Sequence, residues 1–264
     1  MADIDLRTDQ PHSARMYDYL LGGKDHYEVD GEAAEKALSS FPMLRTAARE
    51  NRKFLGRAVR HLVREAGVRQ FLDLGSGLPT AENVHQVAQA EDPDARVLYV
   101  DNDPIVLVHG SALLAKDART AVIQGDIRDP RAILENEKTR ALIDFDQPVG
   151  VLAVAVLHFV GDDEDPAGIV RTLREAVPAG SHFILSHATA DIAPEAAMGV
   201  QHAYRAQGVP LTLRTRERFA EFFDGMELVD PGIQVVSDWR ATVPEAERPS
   251  HADVSWYGGI GRLA

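Results

Sequence analysis

Up to about residue 67 the apolar positions recur at helical spacing. Ser13 is placed to cap a short helix carrying Met16, Tyr17, Leu20 and Leu21, which Gly22 and Gly23 would stop. Asp30 is placed to cap a second, Ala-rich helix ending near Ser39. A long helix follows, on which Leu44, Ala47, Ala48, Leu55, Ala58, Val59, Leu62 and Val63 form one stripe. Its other face carries Arg45, Arg49, Arg52, Arg57, Arg60 and Arg64, read as solvated, with an anion-docking face as the alternative.

From Arg69 onward the pattern changes. QFLDL, RVLYV, TAVIQ, VGVLAVAVL and HFILS are continuous apolar runs, as strands buried on both faces require. Helical stretches at about 79–91, 104–115, 130–138 and 166–177 separate them. That alternation predicts a doubly wound α/β fold with a mostly parallel sheet. MELVD, IQVVS and VSWYGGIGRL then crowd together around Pro231 and Gly232, which predicts an antiparallel pair closing one edge.

Composition narrows the partners. A chain of 264 residues, 45% hydrophobic, is long enough to bury a sizeable core. A net charge of -13 disfavours a long nucleic acid, whose phosphates call for basic excess. No apolar run is long enough to span a membrane, and MADIDLRTDQ does not have the form of a secretory signal. Cysteine is absent, which removes thiolate chemistry and makes the cytoplasm the expected location.

Candidate chemistry sits at the ends of the predicted strands. After the first, FLDLGSGLPT places Asp73 and then Gly75-Ser76-Gly77, a turn whose backbone can approach a ligand closely. Thr80 stands where the dinucleotide fingerprint needs its third glycine, so a nicotinamide cofactor is disfavoured. After the second strand comes Asp101, placed to accept from ribose hydroxyls, with Asp103 better suited to cap the next helix before Pro104. After the third, Gly125-Asp126-Ile127 offers a carboxylate for an adenine amino group and an apolar side chain for its ring. Together these loops predict an adenosine-type cofactor.

The tracts SARMYDYLLGGKDHYEVD, ARENRKFLGRAV, RQFLDLGSGLPT, VLYVDNDPIVL, GDIRDP, VLHFVGDDEDP and GSHFILSHAT resemble, in this order, a bacterial S-adenosyl methyltransferase family of class I. The resemblance spans nearly the whole chain and implies a seven-stranded sheet with the last strand inserted antiparallel. The change of periodicity divides the chain into an N-terminal helical extension, 1–67, and a Rossmann-like domain, 68–264. The resemblance implies S-adenosyl-L-methionine as cofactor, with Gly75, Ser76 and Gly77 on its methionine and ribose side. Asp101, with Asn102 beside it, would meet the ribose, and Asp126 and Ile127 the adenine. Ala153, Val154 and Ala155 would offer backbone near the sulfonium.

The implied reaction is methyl transfer to a small-molecule acceptor, the alternative being a sensor or regulatory protein that binds the cofactor without turnover. His158, just past the fourth strand, is the candidate general base. The run GDDEDP reads as a helix start capped by Asp165 before Pro166 rather than as a metal site. In YDYLLGGKDHY, Gly22 and Gly23 are expected to hinge a lid over the cofactor, with Tyr19 among the aromatics that exclude water. Oligomeric state is left open.

Overall fold

The computed structural model describes residues 6–80, 82–114 and 118–264, apart from the side chains of 111–114. MADID and the expected helix end at residue 115 lie outside the described residues. The chain runs α1 Ser13–Leu21, α2 Glu28–Ser40, α3 Leu44–Arg64, β1 Gln70–Leu74, α4 Val84–Glu91, β2 Arg96–Asp101 and α5 Pro104–Leu114. It continues β3 Thr120–Gln124, α6 Pro130–Glu135, α7 Glu137–Leu142, β4 Gly150–Val154, α8 Pro166–Glu175 and β5 His182–Ala188. The last part is α9 Pro194–Ala206, α10 Arg216–Ala220, β6 Glu227–Leu228, β7 Gln234–Val235, α11 His251–Val254 and β8 Trp256–Arg262.

The 8-stranded sheet is ordered β3-β2-β1-β4-β5-β8-β6, with β7 also on β8. The first five strands are mutually parallel, whereas β8 runs antiparallel to β5, β6 and β7. The count exceeds the expected seven because the outer position is shared by two short pieces. MELVD and IQVVS each pair with β8 for two residues.

Alternate strand residues enter two cores. Phe71, Val97, Tyr99, Leu152 and Ile184 meet α3 and α4 on one face. Leu72, Leu98, Val100, Val151, Phe183 and Leu185 meet α6, α8 and α10 on the other. This period of two, apolar on both faces, is why the runs read as continuous. At about 25 cal/mol per Å², the two faces dominate the stability of the domain.

A third core joins α1 and α2 to α9 through Met16, Leu20, Ala33, Ala34, Ala37 and Val200. Helix α9 was not among the expected elements. Its PEAAMGVQHAYRA carries small residues where a sheet-packed helix would show branched ones, and a Cβ on Gly199 would sit 2.7 Å from the Cβ of Ser40. Two backbones approach closely there, so volume rather than hydrophobicity fits the helix to α2.

Several boundaries shift for local reasons. His12, not Ser13, caps α1, its Nδ1 accepting from the Ala14 N–H at 3.3 Å. Tyr27 occupies the cap of α2, with Asp30 three residues later accepting the Tyr27 N–H at 2.9 Å. Helix α4 starts at Val84 rather than near Pro79, with Asn83 at its cap and the Asn83 side chain accepting from the Thr80 N–H at 3.0 Å. β4 ends at Val154 because Ala155 adopts φ +59, leaving Leu157–Phe159 as a tight turn.

Candidate functional site

The carboxyl ends of β1 to β4 open into a cavity. Its walls include Gly75, Ser76 and Gly77 after β1, Asp101 and Asn102 after β2, Asp126 and Ile127 after β3, and Val154 and Ala155 at β4. Other contributors were not singled out from sequence as site residues, among them His12, Tyr17, Asn51, Arg52 and Arg128. Tyr19, Gly22, Gly23 and Ala153 are not in this wall. Ala153 belongs to the opposite core, because side chains alternate along β4.

Asp101 is 5% exposed. Its carboxylate accepts from the Gly77 N–H at 2.8 Å and the Asp103 N–H at 3.0 Å. Burial raises its pKa, while those two donors and His12 pull it down. Gly77 has φ +67 and open space where a Cβ would stand, so the turn that binds Asp101 presents bare backbone to the cavity. Asp73 is buried and its carboxyl is pushed up to about 7, chiefly by burial, with Arg52 opposing and Asp101 adding to the rise. Asp126 accepts from the Arg128 N–H at 2.9 Å and from its guanidinium at 3.2 Å. Arg128 in turn reaches Glu164 at 2.6 Å and the Phe159 carbonyl at 2.8 Å, tying the β3 loop to the turn after β4.

The N-terminal cover is built from a different part of the segment than expected. Gly22 ends α1 in the left-handed region at φ +84, and a Cβ on Gly23 would collide with the Asp18 carboxylate. Asp18 instead accepts from the Asp25 N–H and meets His26 Nδ1, both at 3.1 Å. The two glycines therefore terminate a helix and make room for a buried acid, away from the cavity. Tyr19 turns outward to Glu35 and Arg45. The wall is supplied earlier, by His12, Ser13, Ala14 and Tyr17. Arg15 secures this stretch: its Nε lies 3.3 Å from Asp30 and 3.5 Å from Asp103, and it donates to the Gln10 carbonyl at 2.6 Å.

A second chamber adjoins the first. Ser13, Tyr17 and Phe159 border both, and Leu20, Phe41, His158, Val200, Tyr204 and Trp256 continue its wall. Tyr17 is fixed between them: its hydroxyl donates to the Ala48 carbonyl and accepts from Asn51 Nδ2, each at 3.0 Å. Asn51 Oδ1 accepts from Ser186 Oγ at 2.6 Å, and Ser186 Oγ accepts from the Ala155 N–H at 3.0 Å. Asn51 was the legible exception on its helix, a polar residue in the apolar stripe.

His158 lines this second chamber, not the first cavity, and is 2% exposed. Its pKa lies well below 6.5, first through burial and then through His187 and Arg214. Its Nδ1 accepts the Ala188 N–H at 3.4 Å. His187 is locked separately, between its neighbour's carbonyl at 2.7 Å and Arg214 at 2.9 Å. The acidic run is similarly engaged: Asp162 accepts from Arg214 at 2.7 Å, Glu164 from Arg128, and Asp165 caps α8 at Gly168.

A model of the S-adenosyl methyltransferase family matches residues 1–264. The chain belongs to that family. It is an S-adenosylmethionine-dependent methyltransferase. A DUF574-family protein from Streptomyces avermitilis is similar to it at 43% identity over 98% of this chain and 100% of that one, TM-score 0.95. A candidate methyltransferase from Thermobifida fusca shares 42% over 98% and 97%, TM-score 0.93. An O-methyltransferase family protein from Burkholderia thailandensis shares the fold alone, at 12% identity over 98% of this chain and 66% of that one, TM-score 0.55. No curated protein matches.

The methyltransferase cavity fits its cofactor on the donor set present. Among the described residues Ser76 Oγ and Arg52 Nε are buried without partners, one a hydroxyl and the other part of a cation. Two cavity carboxylates, Asp73 and Asp101, complement an ammonium and a diol, and Arg52 complements a carboxylate.

Proposed function

We propose that this methyltransferase holds S-adenosylmethionine across the ends of β1 to β4 and methylates a small molecule bound beside it. One observation carries the reading: the cavity at the strand ends and the second chamber meet at Ser13, Tyr17 and Phe159. Asp101, with Asn102, meets the ribose, and Asp126 with Ile127 receives the adenine. Gly75, Ser76 and Gly77 pass the methionine side, where Arg52 takes the carboxylate and Asp73 the amino group. Val154 and Ala155 border the methyl end. Bound there, the cofactor supplies an activated methyl on a sulfonium, so the protein's task is alignment and exclusion of water.

The acidic chain disfavours a long nucleic acid as acceptor. Among the described residues no helix is long and apolar enough to cross a membrane. A chain free of cysteine suits a reducing compartment, and we read the enzyme as cytoplasmic.

Calorimetry with S-adenosylmethionine, S-adenosylhomocysteine and NAD tests the cofactor site. The first two are expected to bind and NAD to stay silent; NAD binding alone would falsify the reading. A labelled methyl donor offered with fractionated metabolite extract is then expected to mark a small molecule. Label confined to macromolecular fractions counts against a small acceptor.

A further inference from the structure

The second chamber has a chemical character of its own. Tyr17, Phe41, Phe159, Tyr204 and Trp256 supply ring surface, and no charged side chain stands among the described residues of its wall. Tyr17 and Trp256 lie nearly parallel at 18°, as do Phe159 and Tyr204 at 15°. A charged ligand would lose its hydration there with nothing of opposite sign to replace it, whereas an uncharged ring loses little.

Two polar groups in the wall have capacity to spare. Ser255 is 3% exposed, and its Oγ is buried without a hydrogen-bond partner among the described residues. Its backbone is held in the left-handed region at φ +48, directly before β8. His158 is the other. Because Nδ1 accepts the Ala188 N–H, a neutral ring carries its proton on Nε2. His158 therefore offers a donor, and the nitrogen facing Ala188 is already used.

We infer that the chamber is the acceptor site and takes an uncharged aromatic molecule bearing a hydroxyl, which hydrogen-bonds to His158 Nε2–H and Ser255 Oγ. This rests on the first cavity being the cofactor site. It changes the part given to His158. The residue anchors the acceptor's hydroxyl as a donor, and Ser13, Tyr17 and Phe159 frame the junction at which acceptor and methyl donor meet.

Full-length enzyme saturated with S-adenosylhomocysteine is titrated by calorimetry with p-cresol, toluene, 4-methylbenzoate and 4-methylbenzylamine, four probes that share one tolyl ring, with 4-methylbenzyl alcohol as the uncharged match in size for the two charged ones. p-Cresol is expected to bind at least tenfold tighter than either charged analogue and several-fold tighter than toluene. His158→Phe and Ser255→Ala are each expected to erase the preference for p-cresol over toluene while toluene affinity holds, a change that general loosening would not produce. Val200→Trp should abolish p-cresol binding and leave S-adenosylhomocysteine affinity within twofold. Leu211→Phe is a milder filling variant, and circular dichroism checks both. Charged probes binding as well as p-cresol, no p-cresol binding, or p-cresol binding unchanged in a folded filling variant overturns the inference. Failure of S-adenosylhomocysteine itself to bind overturns the cofactor reading instead.

Discussion

Asp73 and Arg52 face the same cavity with opposite charge, and each makes a prediction that can be read by binding alone. In the ligand-free protein the Asp73 carboxyl titrates at about 7. The folded state therefore binds a proton that the unfolded chain, with its ordinary aspartate, has already lost, so ionising Asp73 costs stability as pH rises from 3.8 to about 7. A ligand ammonium requires the ionised form. Affinity for S-adenosylmethionine should fall by up to about tenfold per pH unit below 7, with proton release on binding, and Asp73→Asn should flatten both. Calorimetry in buffers of different ionisation enthalpy reads the proton directly. Arg52→Met should weaken S-adenosylhomocysteine by about 10- to 100-fold, the range of a charge-assisted hydrogen bond. Affinity for 5′-methylthioadenosine, which lacks the amino acid end, should not move. Equal losses for both ligands would refute the assignment of Arg52 to the carboxylate.

Among the elements, α1 is the one whose role the structure revises. Its N-terminal turn covers the cavity, and the Gly22-Gly23 end only closes the helix. Arg15 holds that turn against Asp30 and Asp103, and Asp103 binds back to Asp101. Arg15→Lys keeps the charge and loses the fork that reaches the Gln10 and Arg7 carbonyls. It should speed release of S-adenosylhomocysteine several-fold in stopped flow with little change in association, since most such effects fall on dissociation. An unchanged release rate would remove α1 from any gating role. The strands were legible because each is a largely apolar run, and their chemistry because the first three run into Gly75, Asp101 and Gly125. The cover was not, since Arg15 looks like any charge on a short helix until tertiary contacts bury it to 2% exposure. Arg52 was hidden likewise, one arginine among six on a face that read as solvated. In place it donates to Asn83 at 3.0 Å, while Arg57 bonds the Trp239 carbonyl at 2.8 Å and Arg60 pairs with Glu82 at 2.8 Å. Periodicity reveals which face is polar but not which loop will come to meet it.

At the scale of the whole molecule, three buried histidines govern acid stability. His158, His182 and His187 all have depressed pKa values, His182 at about 4 and His187 at about 3, with burial the main cause in each. Above pH 6.5 both folded and unfolded chains leave these rings neutral, so they add no slope there. Below it the unfolded chain takes up protons that the folded chain refuses, and stability falls. Asp73 and Asp101 work the other way, since burial raises both and the folded state holds protons there that the unfolded chain has lost. Three histidines against two aspartates leave a net uptake on unfolding of roughly one to two protons between about pH 6 and 5. This window lies above the one for Glu65 and Glu164, whose pKa values are lowered below 4.5 and whose contributions fade only at more acid pH. Urea midpoints measured every half unit from pH 8 to 4.5 should be level near neutrality and fall steeply from about 6. His182→Gln should shallow that fall by about one proton without touching either cavity, because His182 opens β5 at the end of the sheet remote from both. A midpoint that stays level from 7 to 5 in the parent enzyme, or a fall unaltered by His182→Gln, would mean the buried rings take up protons in the folded state.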